Sequence, residues 1–401
     1  MHLRAAAITL TAVLCIFTTG CATAEKDPYR ELGPGELALR KITDAREIPD
    51  FTEALKNTDD LDAAIAHSLS YLAKPSSQSF FPSAGLTHEQ VRVSLEEFRA
   101  MLADGDDAKT LNAEIRRRFD VYTTVGYDGE GTILYTGYYT PIFEASLTRD
   151  DRFRYPLHKL PANHVKDPLT GETKGLRGEE GSIDPNYPTR RELLNSGMLD
   201  GTELVWLSDP VEAYVVQVQG SAILRLADGT EFEVGYAGTN GREYKSIGAE
   251  LIKRGKLTKA ELNLDSIVRY FRKNPQDFDA ITGANDRYVF FQQNSGGPFG
   301  CLNEQVLPDR SLATDKTIFP RGGLCLVETV LPTHRNSARK VSRFMLDQDA
   351  GGAIRAPGRA DIYWGSGDAA QQRAGRTRSE GRLYYLVLKD RELRGREKVA
   401  K

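Results

Sequence analysis

The pattern that most restricts this chain is a switch in the spacing of its apolar residues at Thr132. Before that point apolar side chains recur every three or four positions, as one face of a helix requires; after it, short β-branched and aromatic runs lie between turn signals. Residues 51–72 carry the helical spacing, and Thr87 followed three residues later by Gln90 is a capping-box start for a helix reaching about Ala103. Residues 108–119 predict a third helix with Leu111 and Ile115 on one face. Strand-like runs follow at 133–139, 211–226 and 231–236, the last two joined through Asp228-Gly229 as a hairpin. Between them, the Gly- and charge-rich stretch 167–184 reads as an exposed loop. A helical interlude at 244–254 and 259–274 then gives way to strands at 288–292, 323–330, 341–346, 360–364 and 383–388. The 36 Gly, 18 Pro, 17 Tyr and 16 Phe fit many strands and tight turns, so the fold class predicted is mainly β with helices at the N-terminal end.

A chain of 401 residues has room for two or three domains. Its 53 Lys and Arg against 56 Asp and Glu give a net charge of -3, which supplies no electrostatic footprint for a nucleic-acid partner. No internal run approaches the ~20 apolar residues of a membrane helix, which excludes a polytopic membrane protein. The N-terminus is a targeting segment: Arg4, an apolar stretch at 5–19, then Thr19-Gly20-Cys21. Residues 1–20 are read as a signal peptide of lipoprotein type and Cys21 as the acylated residue, although Thr18 stands where such signals carry Leu. Ordinary cleavage to a soluble periplasmic protein is the alternative. Ala22 is no inner-membrane retention signal, so similarity to lipoprotein sorting implies a lipid anchor at the periplasmic face of the outer membrane.

Cys301 and Cys325 are the cysteines left outside that segment, and the sequence leaves open whether they bridge or stay as thiols. His67, His88, His158, His164 and His334 lack ligand spacing, so no metal and no cofactor is predicted. There is no G-x-x-x-x-G-K-[ST] and no G-x-S-x-G, which removes phosphoryl transfer and α/β-hydrolase chemistry.

What stands out is residues 346–365, L-D-Q-D-A-G-G-A-I-R-A-P-G-R-A-D-I-Y-W-G. Asp349 precedes a Gly pair, where backbone can approach closely, and Asp361 opens the apolar run Ile362, Tyr363, Trp364. A carboxyl beside aromatic surface is partly desolvated, which disfavours its charged form and suits it to act as a general acid. On spacing alone the two aspartates could equally cap turns. An aspartic-protease loop at Asp349-Ala350-Gly351 has no second copy in the chain.

Several further motifs accompany this segment: T-G-Y-Y-T-P at 136–141, Y-P-L-H at 155–158, V-Q-V-Q-G-S-A at 216–222, Y-A-G-T-N-G-R-E-Y-K-S-I-G at 236–248 and R-A-G-R at 373–376. In this order they make residues 130–390 resemble the membrane-bound lytic murein transglycosylase A family, with Asp315 (in A-T-D-K), Asp349 and Asp361 as the three aspartates of its C-terminal part. The resemblance implies a double-psi β-barrel main domain, formed from residues 21–150 and 291–401, with a second, barrel-like β-domain inserted at 151–290. It implies that peptidoglycan glycan strands lie in a groove between them. The β-1,4 bond between N-acetylmuramic acid and N-acetylglucosamine is then cut to a 1,6-anhydro-muramyl end, with Asp361 as acid and then base. Asp349 would support it, and Asp315 would hold the loops. Thr136 belongs to the first motif, Tyr138 and Tyr139 offer flat faces for sugar rings, and Gln217, Gln219 and Ser221, at strand period 2, would hydrogen-bond sugar polar groups from one face. Arg376 and Arg355 are expected to meet peptide-stem carboxylates, and a net charge of +6 over the last 29 residues suits an anionic polymer. The expected protein is a monomer working beside other envelope machinery. The competing readings are a non-catalytic peptidoglycan-binding lipoprotein and a hydrolytic glycosidase of related fold.

Overall fold

A computed structural model describes residues 27–259, 261–333 and 337–399; the signal segment, Thr18, Cys21 and His334 lie outside the described residues. Strand β1 (Leu39–Lys41) precedes helices α1 (Thr52–Leu55), α2 (Leu61–Leu72), α3 (His88–Ala103) and α4 (Ala108–Arg118). The predicted capping box starts α3: Thr87 Oγ1 accepts from Gln90 N at 3.1 Å and Gln90 Oε1 accepts from Thr87 N at 2.9 Å. Leu111 and Ile115 are buried on one face of α4, as their spacing requires. The helices cover a barrel rather than each other alone. Phe51 and Phe98 pack against Phe344 with ring centroids 6.0 and 4.9 Å apart, inside one apolar cluster that runs through helices and strands.

Strands β2 (Phe119–Thr124) and β3 (Ile133–Thr140) follow the helices, and the chain then leaves the barrel. It builds β4 (Ile142–Ser146), β5 (Tyr155–His158), β6 (His164–Lys166), β7 (Thr173–Arg177), β8 (Ile183–Asp184), α5 (Arg190–Asn195), β9 (Glu203–Leu207), α6 (Pro210–Gln219), β10 (Ser221–Arg225) and β11 (Glu231–Thr239). Helices α7 (Ile247–Lys253), α8 (Leu264–Lys273) and α9 (Phe278–Thr282) and strand β12 (Val289–Asn294) complete this excursion. It returns through β13 (Ser311–Ala313), β14 (Leu324–Pro332), β15 (Ala338–Asp349), β16 (Arg359–Ser366), α10 (Gly367–Arg376), β17 (Arg378–Leu388) and α11 (Asp390–Val399).

The main sheet closes on itself. Its order β17-β14-β15-β13-β16-β3 returns from β3 to β17, and β2 and β1 extend it from β17. Most pairs are antiparallel, but β13 runs parallel to β15 and β16 parallel to β3. This closed six-stranded barrel is the double-psi β-barrel of the expected fold, and closure leaves its six members without free edges. The excursion forms a second six-stranded sheet, β12-β11-β10-β4-β9-β5, whose end strands share one apolar cluster through Leu157 and Phe291. The two parts meet at Gly352, where an added Cβ would lie 3.4 Å from Arg287 Cζ and 3.6 Å from Tyr244 Cβ.

Two expectations are corrected. Residues 211–219, expected as strand, belong to α6, and only 221–225 pair as strand β10 with β11 across the predicted hairpin. Asp209 Oδ1 accepts from Val211 N at 2.8 Å, Pro210 opens the helix, and Gly220 ends it at φ 83. These boundary signals outweigh the β-preference of the Val residues, because most of the helix is buried and tertiary burial decides. The stretch 167–184 is likewise not all loop: β7 and β8 fall within it, and β7 pairs with both β6 and β8 in a small sheet.

Candidate active site

The site is built by strand register. Asp361 on β16 lies opposite Ala313 of β13, and Asp349, the last residue of β15, lies opposite the same Ala313 on its other side. Asp315 follows two residues later, so all three predicted aspartates converge at one end of the barrel. On the other flank of β16, the parallel register sets Thr136 beside Asp361 and Tyr138 beside Tyr363. Directly paired residues share a face, so the first motif and the aspartate segment are joined side chain to side chain. Gly137 between them has no room for a side chain, since a Cβ would sit 2.5 Å from Trp364 Nε1.

Asp361 is 16 % exposed at its side chain. Its Oδ1 accepts from Thr136 Oγ1, and Arg359 Nη2 lies 3.5 Å from the same oxygen. Arg359 Nη2 also donates to Thr136 Oγ1 at 2.7 Å. Burial raises the Asp361 carboxyl above the usual aspartate range, opposed by the Arg359 cation and the Thr136 bond. Among the described residues nothing bonds Oδ2, which leaves that oxygen to carry a transferable proton.

Asp349 is held differently. Its Oδ2 accepts from Tyr138 OH at 2.7 Å, while Oδ1 accepts from Cys301 N at 2.9 Å and Ala350 N at 2.8 Å. Burial raises this carboxyl as well, against those three donors. Tyr138, two positions along β3 from Thr136, thus turns its hydroxyl to Asp349, with its ring 5.1 Å from that of Tyr363. Asp315 folds its own loops: Oδ1 accepts from Thr317 N and Oγ1, Oδ2 accepts from Ala356 N at 3.0 Å, and Arg355 Nη1 lies 3.6 Å away.

The remaining predicted residues are dispersed. Tyr139 points to the opposite face from Tyr138 and is buried at 2 % exposure in the core. Gln217, Gln219 and Ser221 do not share a strand face, because the first two are on α6. Gln217 is buried and accepts from Arg190, which stacks over Tyr214 and Tyr288. Gln219 instead accepts from Tyr139 N at 3.1 Å, and Ser221 Oγ lies 3.4 Å from Thr140 Oγ1, so these two tie the insert to β3. Arg376 sits exposed in the last turn of α10, donating to Gln372 O and Thr333 O. Arg355 stays half-exposed beside Asp315. Cys301 and Cys325 are both free thiols. Among the described residues, no group of three His, Cys, Asp or Glu is arranged to hold a metal.

Sequence reasoning missed Arg359, although its position two residues before Asp361 puts both on one strand face. It also missed the pair Lys316–Asp347, in which Asp347 is fully buried and further bonded by Thr314 Oγ1 at 2.8 Å and Tyr385 OH at 2.8 Å. An open depression of about 410 Å³, lined by Asp265, Val268, Arg269, Arg272 and Gln371, contains none of the predicted site residues.

Two family models match the chain, the MltA specific insert domain over residues 134–292 and the 3D domain over residues 310–387. An insert of this kind on a closed barrel bearing the aspartate cluster defines the class, a lytic transglycosylase. Over 272 residues the chain is 30% identical to membrane-bound lytic murein transglycosylase A of Escherichia coli (strain K12), covering 67% of this chain and 69% of that one. The chain belongs to the membrane-bound lytic murein transglycosylase A family. Among solved structures it resembles the membrane-bound lytic murein transglycosylase from Agrobacterium tumefaciens, at 26% identity and a TM-score of 0.72, with 88% of this chain and 98% of that one covered. E. coli MltA with bound chitohexaose has the same fold at 23% identity and a TM-score of 0.61, covering 90% and 98%.

Proposed function

We propose that this enzyme cleaves the β-1,4 bond between N-acetylmuramic acid and N-acetylglucosamine in peptidoglycan and leaves a 1,6-anhydro-muramyl end. The observation that carries this reading is a desolvated carboxyl with one oxygen left over: Asp361 Oδ1 is occupied by Thr136 while Oδ2 has no partner among the described residues. The Asp361 proton passes to the glycosidic oxygen, the C1–O bond breaks with its electron pair going to that oxygen, and C1 takes on oxocarbenium character. The muramyl C6 hydroxyl oxygen then bonds to C1, and its proton returns to the Asp361 carboxylate. Atoms balance without water. An internal nucleophile has a high effective concentration, so no second carboxylate is required to activate one.

In this reading Asp349 supports the acid through Tyr138, and Asp315 fixes the loop that leads into β16. On the substrate side the proposal rests on Thr136 and Tyr138, which share the face of Asp361. Tyr139, Gln217, Gln219, Ser221 and Arg376, expected there as well, are engaged with the protein itself: Tyr139 in the core, Gln217 with Arg190, Gln219 and Ser221 with β3, and Arg376 with backbone carbonyls. The glycan lies where the barrel meets the insert, divided at about residues 150 and 290. The chitohexaose bound in the E. coli MltA structure is in keeping with a glycan ligand. Cys21 acylation and attachment at the periplasmic face of the outer membrane complete the proposal, in keeping with relatives named as membrane-bound.

Digestion of purified sacculi in heavy-oxygen water, with mass spectrometry of the soluble products, tests the reaction. Anhydro-muropeptides without heavy oxygen are expected. Reducing ends that carry it identify a hydrolase, and intact sacculi with bound protein identify a binding module.

A further inference from the structure

The N-terminal arm that precedes β1 reaches the catalytic strand. Pro28 O would lie 2.7 Å from a Cβ added at Gly358, so the arm is pressed against the residue just before β16. Its next residue, Tyr29, accepts a hydrogen bond at its hydroxyl from Arg359 Nη1, and the Arg359 guanidinium lies 5.0 Å from the Tyr29 ring centroid. Arg359 is buried, and its other terminal nitrogen bridges Thr136 and Asp361. The guanidinium is therefore forked, one prong on the arm and one on the acid's own hydrogen-bond donor.

We propose that Arg359, clamped by Tyr29, is a positioning residue that fixes which oxygen of Asp361 carries the transferable proton. The inference rests on the acid role given above. Thr136 Oγ1 accepts from Arg359, so its one hydroxyl proton is aimed at Asp361 Oδ1. With Oδ1 serving as acceptor, the carboxyl proton is confined to Oδ2. Once that proton has left, the carboxylate has a cation 3.5 Å away that stabilises it without a direct short bond, so it remains able to take a proton back.

Removing the cation acts on the pH dependence with a definite sign. The groups around Asp361 are Arg359 and Tyr363 on its own strand, Thr136 and Tyr138 on β3, Asp349 at the end of β15, and Asp315 just past β13 with Arg355 of the loop that leads into β16. Of these, the nearest positive charge is Arg359, with Asp349 the nearby acid held by Tyr138. An acid works while protonated, and the cation favours loss of the proton, so Arg359→Gln moves the alkaline limb of turnover to higher pH.

The test compares wild type, Arg359→Gln, Arg359→Lys and Tyr29→Phe in anhydro-muropeptide release from sacculi, with thermal unfolding as a fold control. Arg359→Gln is expected to lower kcat at least roughly tenfold and raise the alkaline limb. Arg359→Lys keeps the charge, so its limb stays near that of wild type, but it cannot make the fork and its kcat still falls. Tyr29→Phe keeps the ring and loses the bond, with a drop of about two- to threefold. Folded Arg359→Gln with wild-type kcat and limb overturns the inference while leaving the reaction intact. Absence of anhydro product from wild type itself overturns the reaction instead.

Discussion

Asp347 and Asp361 lie on neighbouring parts of one barrel, and their surroundings assign them opposite tasks. Asp347 is fully buried and met by Lys316, Thr314 and Tyr385, so each of its oxygens is satisfied and its charge is paired. Asp361 keeps some exposure, one oxygen bonded and one without a partner among the described residues, with its cation a step removed at 3.5 Å. A buried carboxylate that is completely paired anchors a fold, because breaking the pair leaves a charge in a medium that cannot solvate it. One that is desolvated and half-satisfied keeps its proton to higher pH and has an oxygen free to deliver it. Burial alone does not distinguish the two; the count and charge of the partners does.

The contrast predicts a graded series. Asp361→Asn is expected to lower anhydro-muropeptide release by roughly 10²–10⁴-fold. It leaves the fold intact, since an amide oxygen still accepts from Thr136, and a wild-type rate from this variant removes the distinction altogether. At Asp347 the effects reverse. Lys316→Met is expected to destabilise the protein by about 3–5 kcal/mol in denaturant unfolding, with turnover per folded molecule little changed. Loss of turnover at full stability would mean that Asp347 belongs to the chemistry.

Asp349 falls between the two, and Asp349→Asn sharpens the comparison. The Cys301 and Ala350 amides keep their acceptor, so stability holds while kcat drops roughly tenfold through the displaced Tyr138. Smallest is Tyr138→Phe, which removes one hydrogen bond worth about 1 kcal/mol and keeps the ring against Tyr363. A few-fold fall in kcat is expected there, read against an unchanged spectrum of products.

The fold was readable where local signals and packing agree. The Thr87–Gln90 capping box, the Asp228-Gly229 hairpin, and strands β3 and β16 all combine an unambiguous period with turn chemistry at their ends. Helix α6 was misread because its Val and Gln alternate, although Asp209-Pro210 and Gly220 mark its limits; buried on most sides, it shows no amphipathic stripe. The aspartates were visible through family resemblance, with desolvation of Asp361 suggested by its aromatic neighbours. Arg359, Lys316 and Tyr29 were not, because their roles depend on which strands become neighbours. Nothing in a linear spacing places residue 29 on residue 359, or Ala313 between Asp349 and Asp361.

The pH profile of kcat for anhydro-muropeptide release, measured for wild type beside Asp361→Asn, tests the central claim most directly. Because burial raises the Asp361 carboxyl, wild-type turnover is predicted to persist above the usual aspartate range and fall only as that raised group loses its proton. The variant should show no such limb and almost no product. A wild-type rate that falls through the ordinary aspartate range, or a variant that retains the limb, would contradict the account.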